Sequence, residues 1–140
     1  MREIIAHAIE DDPIECCGII AGRDSQATRL IRAKNAENSK FRFTVHPKEL
    51  QQIYHDLDEN DWDVLAIYHS HTGTKAYPSP TDIMFAGVWP DAHFLIISLA
   101  NMTRPAVRSF TIKKGKVNPE RIRVIEDSNV QESPTKSPSK

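Results

Sequence analysis

Two histidines and an aspartate stand close together in the sequence, at the end of an apolar run. In the stretch "YHSHTGTKAYPSPTDI", His69 and His71 are one residue apart, and Asp82 follows after ten intervening residues. Two imidazoles can share one zinc ion at about 2.0–2.1 Å, and a carboxylate can complete the ligand set. Such a set leaves the fourth tetrahedral position open, as catalytic zinc requires, whereas structural zinc sites close all four positions.

The spacing alone supports a second interpretation equally well. Ser79-Pro80-Thr81-Asp82 has the pattern of a helix start, with Ser79 as the N-cap, Pro80 as the first helical residue and Asp82 as the acid of a capping box. A His-x-His pair also occurs by chance. The two interpretations are compatible, because a helix start would fix the orientation of Asp82. The position favours a metal site, since two histidines on one face of a buried strand need partners.

A catalytic zinc site also needs a base that takes a proton from water without binding the metal. Glu15 lies in "PIECCGIIAG", between a predicted helix and a buried strand. A buried carboxylate there would need a function or a hydrogen-bond partner. Considered alone, however, a glutamate at such a corner is more often solvated. The residues by themselves leave these two interpretations of Glu15 open.

The other reactive side chains do not form a competing site. Cys16 and Cys17 are adjacent, a geometry that strains a disulfide, so we expect reduced and buried thiols. Ser70 faces away from the histidines in a regular strand, which favours a packing or ligand-supporting role. Tyr77 is a candidate substrate contact. The remaining histidines lack partners at metal spacing and are predicted to be exposed or structural: His7, His46, His55 and His93.

Hydrophobic periodicity predicts the elements that position these residues. Helices are predicted in "EIIAHAIEDD", which Pro13 ends, and in "HPKELQQIYHDLDEN", with Pro47 in the first turn. "SPTDIMFAGVWPDAH" begins like a helix. Strand patterns occur in "CCGIIAG", "TRLIRAKNA", "DVLAIYHS", "FLIISLA" and "AVRSFTIKKGKV", the last running into a turn at "KKGK". "FRFTV" is a further short alternating segment, and "RIRVIED" fits a last strand or a short helix.

These elements predict one α/β domain, with a mixed β-sheet flanked by helices. Its most buried strand, "DVLAIYHS", delivers the histidines to its carboxyl end, where open α/β sheets tend to bind ligands. The chain of 140 residues fits one domain, and its net charge of -1 gives no case for nucleic-acid binding. Without a membrane-length apolar run or a signal peptide, we expect a cytoplasmic protein. Residues 128–140 are predicted to be a disordered tail.

Taken together, these residues resemble the signature of the JAMM (MPN-plus) zinc metalloproteases. That signature is an upstream glutamate (here Glu15), the pair His69-Ser70-His71, and a serine (Ser79) three residues before Asp82. The flanks "ECCGIIAG" and "KNAENSKFRFTVHPKEL" are similar too. The resemblance implies a JAMM/MPN domain over residues 1–127 with a cytidine-deaminase-like fold. It further implies Zn²⁺ held by His69, His71 and Asp82, Glu15 as the general base, and Ser79 as a donor to the oxyanion.

One departure points to a branch of that family. Thr72 follows the second histidine, where the better-known eukaryotic members carry proline, and "HSHT" with "AYPSPTD" looks like the compact bacterial, Mec-like branch. This implies a peptidase acting after the C-terminus of a ubiquitin-like sulfur-carrier protein, releasing cysteine or another amino acid. A carrier tail ending in Gly-Gly would suit a narrow channel over the zinc.

Three other functions are weighed against this one. The first is a general isopeptidase that removes ubiquitin-like modifiers from lysines. The second is a non-catalytic MPN interaction module, which would be expected to have lost ligands. A zinc-dependent nucleobase deaminase is excluded, because the chain has no Cys-x-x-Cys and both cysteines precede the histidines. The sequence leaves the oligomeric state open.

Overall fold

One mixed β-sheet organises the chain, which a computed structural model describes over residues 1–122. Its six strands are β1 (Cys17–Arg23), β2 (Gln26–Ala33), β3 (Asp63–His71), β4 (His93–Ser98), β5 (Ala106–Lys113) and β6 (Lys116–Glu120). They lie in the order β2-β1-β3-β4-β5-β6. The predicted tail at 128–140, and "RIRVIED" apart from its first two residues, lie outside the described residues.

Three helices accompany the sheet: α1 (Arg2–Asp11), α2 (Pro47–Asn60) and α3 (Pro80–Ala86). The first ends before Pro13, because the residue preceding a proline is disfavoured in a helix. The second begins with its proline at the first helical position, where the missing N–H costs nothing, and His46 caps it. Within residues 1–122, no helix is both long enough and apolar enough to cross a membrane.

The helices cover opposite faces of the sheet. On one face, α1 packs Ile4 and Ala8 against Tyr68 and Ile97. On the other face, apolar residues of the sheet pack with side chains of α2 and α3 in two clusters. Alternate residues of a strand point to opposite faces, so the last part of β3 turns its odd-numbered residues, Ile67 among them, towards α2 and α3. Earlier in β3, where its register with β1 shifts, Val64 packs on the same face. Burying a large apolar side chain contributes about 1.5–3 kcal/mol, so both faces stabilise the sheet.

The central strand β3 contains the longest run of buried residues among the strands, in keeping with its apolar composition. Its last six residues are all buried, and it lies between β1, to which it is antiparallel, and β4, to which it is parallel. The chain reaches β4 through a loop and α3, which brings the start of α3 to the carboxyl end of β3. The predicted α/β domain with a mixed sheet and flanking helices is confirmed.

Two segments differ from the sequence patterns. "FRFTV" forms no extended strand: Val45 makes one isolated bridge to Asn35, and nearby backbone groups bind the Asn35 side chain instead. The last described strand, Lys116–Glu120, comes directly after the turn at "KKGK" and was not predicted. It contains Pro119, which lacks a backbone donor and argues against a strand except at a sheet edge, which is where β6 lies.

Candidate metal centre

The two histidines at the end of β3 converge. His69 and His71 are 2% and 5% exposed and point to the same face of the sheet, so their Nε2 atoms lie 3.2 Å apart. A regular strand through both residues is what allows this, because side chains two apart share a face. The structure therefore brings together the pair that the sequence analysis singled out.

Asp82 completes a compact cluster with the histidines. Its Oδ2 atom is 3.1 Å from Nε2 of His69 and 3.0 Å from Nε2 of His71. Asp82 also forms the expected capping box at the start of α3: its carboxylate accepts from the backbone N–H of Ser79 at 2.9 Å, and its own N–H donates to Ser79 Oγ. The helix-cap interpretation is confirmed, and the cap orients the carboxylate towards the histidines, as the metal-site interpretation requires.

The cluster has the dimensions and donors of a zinc site. Three ligand atoms bound tetrahedrally to one zinc at about 2.0–2.1 Å would lie about 3.3 Å apart, close to the 3.0–3.2 Å between these atoms. His71 Nδ1 donates to the Lys75 carbonyl at 2.9 Å. The neutral ring therefore has its Nε2 lone pair free to bind a metal ion, whereas the protonated ring donates from Nε2 to Asp82. Two imidazole nitrogens and a carboxylate oxygen facing one point require a cation or a proton between them.

Hydrogen bonds within the cluster outweigh burial in setting the pKa values of Asp82 and His71. Burial alone would raise the pKa of Asp82, but hydrogen bonds from His69 and His71, together with the Ser79 N–H, hold it well below its usual range. Burial alone would lower the pKa of His71, but its bonds to Asp82 and to the Lys75 carbonyl outweigh burial and raise it. The carboxylate thus stays ionised at neutral pH, as a metal ligand must.

Apolar side chains form the floor beneath the cluster. A small cavity bordered by His69 and Asp82 is otherwise lined by Phe43, Ile67, Pro78, Phe85, Phe94, Ile96 and Ile112. An apolar, water-poor setting strengthens electrostatic interactions with any ion or developing charge beside it.

Glu15 lies across from the second histidine. Cys16 and Ser70 are joined by two hydrogen bonds, Ser70 N–H to the Cys16 carbonyl at 3.1 Å and Cys16 N–H to Ser70 Oγ at 2.8 Å. Since β1 runs antiparallel to β3, the next residue on each strand places Glu15 opposite His71. The serine between the histidines therefore fixes the backbone next to Glu15, in keeping with the supporting role expected of it.

One oxygen of the Glu15 carboxyl group is buried without a hydrogen-bond partner. The residue is 3% exposed, and among the described residues its Oε1 atom has no partner. Burial raises its pKa to about 8; the charge of His71 opposes that shift and the charge of Asp82 adds to it. A buried carboxyl group that stabilises nothing through its own bonds, and whose pKa lies near neutrality, has the properties of a general base.

The remaining candidates have structural partners or lie apart from the cluster. Burial raises the pKa of Cys16 to about 12 and also raises that of Cys17, and both thiols are free. Tyr77 is about half exposed beside the site loop and makes an edge contact with Phe110. Among the other histidines, only His7 is buried, and it bonds the Tyr68 hydroxyl at 2.7 Å; the exposed ones are His46, His55 and His93.

Two residues of the site were missed by the sequence analysis. The Phe43 ring stacks on the His69 ring, with centroids 4.9 Å apart, and also contacts Phe85. Asn35 is buried and bonds the backbone on both sides of Phe43 as well as the Glu15 carbonyl. Alternation in "FRFTV" was the signal that could have pointed to Phe43, whereas an asparagine after a strand indicates only a turn.

Comparison with known proteins relates the sequence of this chain to a family. Residues 1–113 match the family model described as prokaryotic homologs of the JAB domain. The chain is 37% identical to the CysO-cysteine peptidase of Mycobacterium tuberculosis over 128 residues, covering 90% of this chain and 87% of that protein. It is 33% identical to the desampylase of Haloferax volcanii over 103 residues, covering 68% and 73%.

Solved structures agree with the fold. A protein from Desulfitobacterium hafniense, solved in solution, superposes with a TM-score of 0.79 at 35% identity, covering 92% of this chain and 90% of that one. A JAB1/MPN domain protein from Archaeoglobus fulgidus superposes with a TM-score of 0.58 at 16% identity, covering 89% and 93%. The second match shows a shared fold alone, which is the one that the resemblance implied.

Proposed function

This chain belongs to the family of prokaryotic homologs of the JAB domain, and from that membership we propose that it is a zinc-dependent peptidase. Its reaction is hydrolysis of the bond that follows the C-terminus of a ubiquitin-like sulfur-carrier protein. The observation that carries the proposal is the convergence of His69, His71 and Asp82 within hydrogen-bonding distance of one another, beside the buried carboxyl group of Glu15.

The residues divide the chemistry between them. His69, His71 and Asp82 would hold Zn²⁺, which supplies Lewis acidity that activates water at neutral pH and polarises a carbonyl. Glu15 takes a proton from the attacking water and passes it to the leaving amine. Ser79 uses its Oγ to accept the capping bond from α3, so its hydroxyl hydrogen is left to donate to the carbonyl oxygen as negative charge develops there.

We infer the class of substrate from the names of the relatives. One is named for CysO-cysteine, and another, from Thermus thermophilus, is named as a probable protease that cleaves TtuB–protein conjugates. We assign the same class to this chain: a ubiquitin-like protein whose extended tail, ending in Gly-Gly, reaches the metal through a narrow channel. We place the catalytic domain at residues 1–127 and retain the expectation of a cytoplasmic protein without nucleic-acid or membrane partners.

The test uses CysO-cysteine as the probe and mass spectrometry as the readout. Wild-type protein should shorten the carrier by one cysteine, and Glu15→Gln should retain its zinc while losing at least about 100-fold in rate. Ile4→Val is a matched control, since Ile4 packs on the opposite face of the sheet. Near-normal hydrolysis by Glu15→Gln would show that Glu15 is not the base.

A general isopeptidase is the second candidate, because the Haloferax relative is a desampylase and the Thermus relative is named for protein conjugates. Two probes separate the candidates: one carrier attached through its C-terminus either to the α-amine of cysteine or to the ε-amine of a lysine in a peptide. Faster hydrolysis of the lysine-linked probe would favour the isopeptidase.

The non-catalytic module makes a different prediction. All three candidate ligands and the candidate base are present in this chain, whereas a module that has lost its metal is expected to have lost ligands. Metal analysis of the purified protein distinguishes the two: about one zinc per chain is expected for the enzyme, and none for the module.

A further inference from the structure

The side chain of Asn35 is a buried hub of hydrogen bonds next to the candidate site. It is 4% exposed, and its Nδ2 group lies within hydrogen-bonding distance of three backbone carbonyls: Glu15 at 3.1 Å, Ser39 at 3.3 Å and Arg42 at 3.0 Å. One of these is the carbonyl of the candidate base itself. The others belong to the loop that follows, residues 36–44, named here the 36–44 loop.

The acceptor side of the same amide holds the other part of that loop. Asn35 Oδ1 accepts from the backbone N–H of Glu37 at 3.0 Å and of Thr44 at 3.3 Å. Its hydrogen bonds to the Arg42 carbonyl and the Thr44 N–H hold the backbone immediately before and after Phe43. That ring stacks on the imidazole of His69 at 4.9 Å between centroids. One amide therefore contacts the backbone of the base and the backbone that carries the ring against a metal ligand.

The backbone is what holds Glu15 in place. Its carboxyl Oε1 has no hydrogen-bond partner among the described residues, so no bond of that atom fixes the rotamer. Instead its N–H donates to the Ser39 carbonyl at 2.9 Å and its carbonyl accepts from Asn35. Both backbone groups of Glu15 thus bind the unit formed by Asn35 and the 36–44 loop.

A further bond ties the 36–44 loop to the histidine strand. Thr72, directly after His71, donates from Oγ1 to the Lys40 carbonyl at 3.1 Å. Proline at this position would have no such donor. The loop is consequently attached at its base through Asn35 and further along through Thr72, and it forms one wall beside His69.

We propose that Asn35 is a positioning residue, which through this single amide fixes the Glu15 backbone relative to the Phe43–His69 stack. The inference rests on the proposed function, in which Glu15 is the base and His69 a ligand. Its consequence is kinetic: misplacing a catalytic group by about 1 Å can cost about 100-fold in rate, whereas binding of the substrate tail need not change.

The experiment compares Asn35→Ala with wild type on CysO-cysteine. We expect kcat to fall about 10- to 100-fold, with KM within about threefold of wild type, and zinc content unchanged. Asn35→Asp keeps the acceptor bonds to Glu37 and Thr44 and removes the NH2 donor group that faces the three carbonyls. It should show the same loss of kcat, and it serves as the test if the alanine variant does not fold.

Two controls separate positioning from general destabilisation. Asn60→Ala removes an exposed amide that bonds the Asp56 carbonyl at the far end of α2, and Ile4→Val weakens packing on the opposite face. Both should keep kcat within about twofold of wild type. If Asn35→Ala also does so, or if a control that melts equally early loses as much kcat, the inference is overturned.

A readout independent of activity distinguishes failure of the inference from failure of the proposed function. In nuclear magnetic resonance spectra, Asn35→Ala should shift the His69 ring protons, because Phe43 no longer holds its stacked position. It should also speed hydrogen exchange at the Glu15 amide, while Asn60→Ala changes neither. If wild type hydrolyses no probe, the proposed function fails; if these spectra are unchanged, the positioning role fails on its own.

Discussion

Asp82 belongs to two structures, the capping box of α3 and the cluster with the histidines, and it uses the same Oδ2 atom in both. The Ser79 N–H and both imidazoles converge on that oxygen, which keeps the carboxylate ionised and directed towards the histidines. The sequence offered these two roles as alternatives because each accounts for the same residues. At this scale they reinforce each other, since the cap supplies the orientation that a ligand needs.

Ser79 allows its two roles to be separated by substitution. Ser79→Ala removes both the capping bond and the hydroxyl donor, whereas Ser79→Gly removes the hydroxyl but costs only a few tenths of a kcal/mol as an N-cap. We expect both variants to lose about 10²- to 10³-fold in kcat, and only alanine to lose about 1 kcal/mol of unfolding free energy. Kinetics and thermal melts check this. Full activity of Ser79→Gly would show that Ser79 acts only as a helix cap and not as a donor in the reaction.

The buried carboxyl group of Glu15 should make the metal-free protein less stable as pH rises. Its folded pKa of about 8 exceeds the unfolded value of about 4.3, so the folded state binds more protons and stability falls between these two values. Glu15→Gln removes that dependence. At pH 8 we expect the metal-free variant to be more stable than wild type by several kcal/mol, up to about 5 kcal/mol.

The check is a pair of thermal melts in chelator. Near pH 4 Glu15 is mostly protonated in both states, and the two proteins should melt within a few degrees of each other. A bound divalent cation would lower the pKa of the nearby carboxyl group, so zinc should shrink the difference at pH 8. If the two metal-free proteins differ equally at both pH values, ionisation of Glu15 is not the cause.

At the scale of elements, local signals decided what could be predicted. The apolar run of β3 and the caps of α2 and α3 lie within the segments that they define, so periodicity and turn chemistry were sufficient for them. "FRFTV" has a strand's alternation, yet a side chain outside the segment, Asn35, supplies some of its backbone partners. For β6 the misleading signal was Pro119, which only an edge strand tolerates.

Pairing of β1 with β3 depends on a glycine. Gly18 lies opposite Tyr68, and a Cβ atom there would overlap the tyrosine ring. Tyr68 cannot easily give way, because it is fully buried and its hydroxyl bonds His7. We expect Gly18→Ala to cost about 1–3 kcal/mol, measured by chemical denaturation. Tyr68→Leu should recover part of that cost when combined with it; a neutral Gly18→Ala would mean that the strands adjust freely.

At the scale of the whole molecule, we expect the fold to persist without a bound metal ion. Apolar clusters stabilise both faces of the sheet, and none of them includes the three candidate ligands. Removing zinc with a chelator should therefore lower the melting temperature while leaving the far-ultraviolet circular dichroism unchanged. Free zinc at 100 times its Kd would add about 2.7 kcal/mol.

The control for this prediction is Asp82→Asn, which removes the charged ligand. Its melting temperature should not respond to chelator, because it binds zinc weakly or not at all. Unfolding of the wild-type protein on loss of zinc would contradict the prediction, since that is the behaviour of a structural metal site.

The candidate site was predictable as a set of residues and less so as an assembly. His69, His71 and Asp82 were predicted because strand alternation and a helix cap act over short distances. The unpartnered burial of Glu15, the stacking of Phe43 and the contacts of Asn35 join segments far apart in the chain. A sequence pattern within one segment does not predict contacts of this kind.

All three candidate ligands come from one continuous stretch, residues 69–82, whereas Glu15, the proposed base, reaches them only through the pairing of β1 with β3. Strand pairing has a period of two, so inserting one residue between Glu15 and the paired part of β1 would turn the carboxyl group to the other face. The ligand cluster would be untouched. A single-codon insertion is thus a short mutational route from a hydrolase to a descendant that retains its ion without turnover.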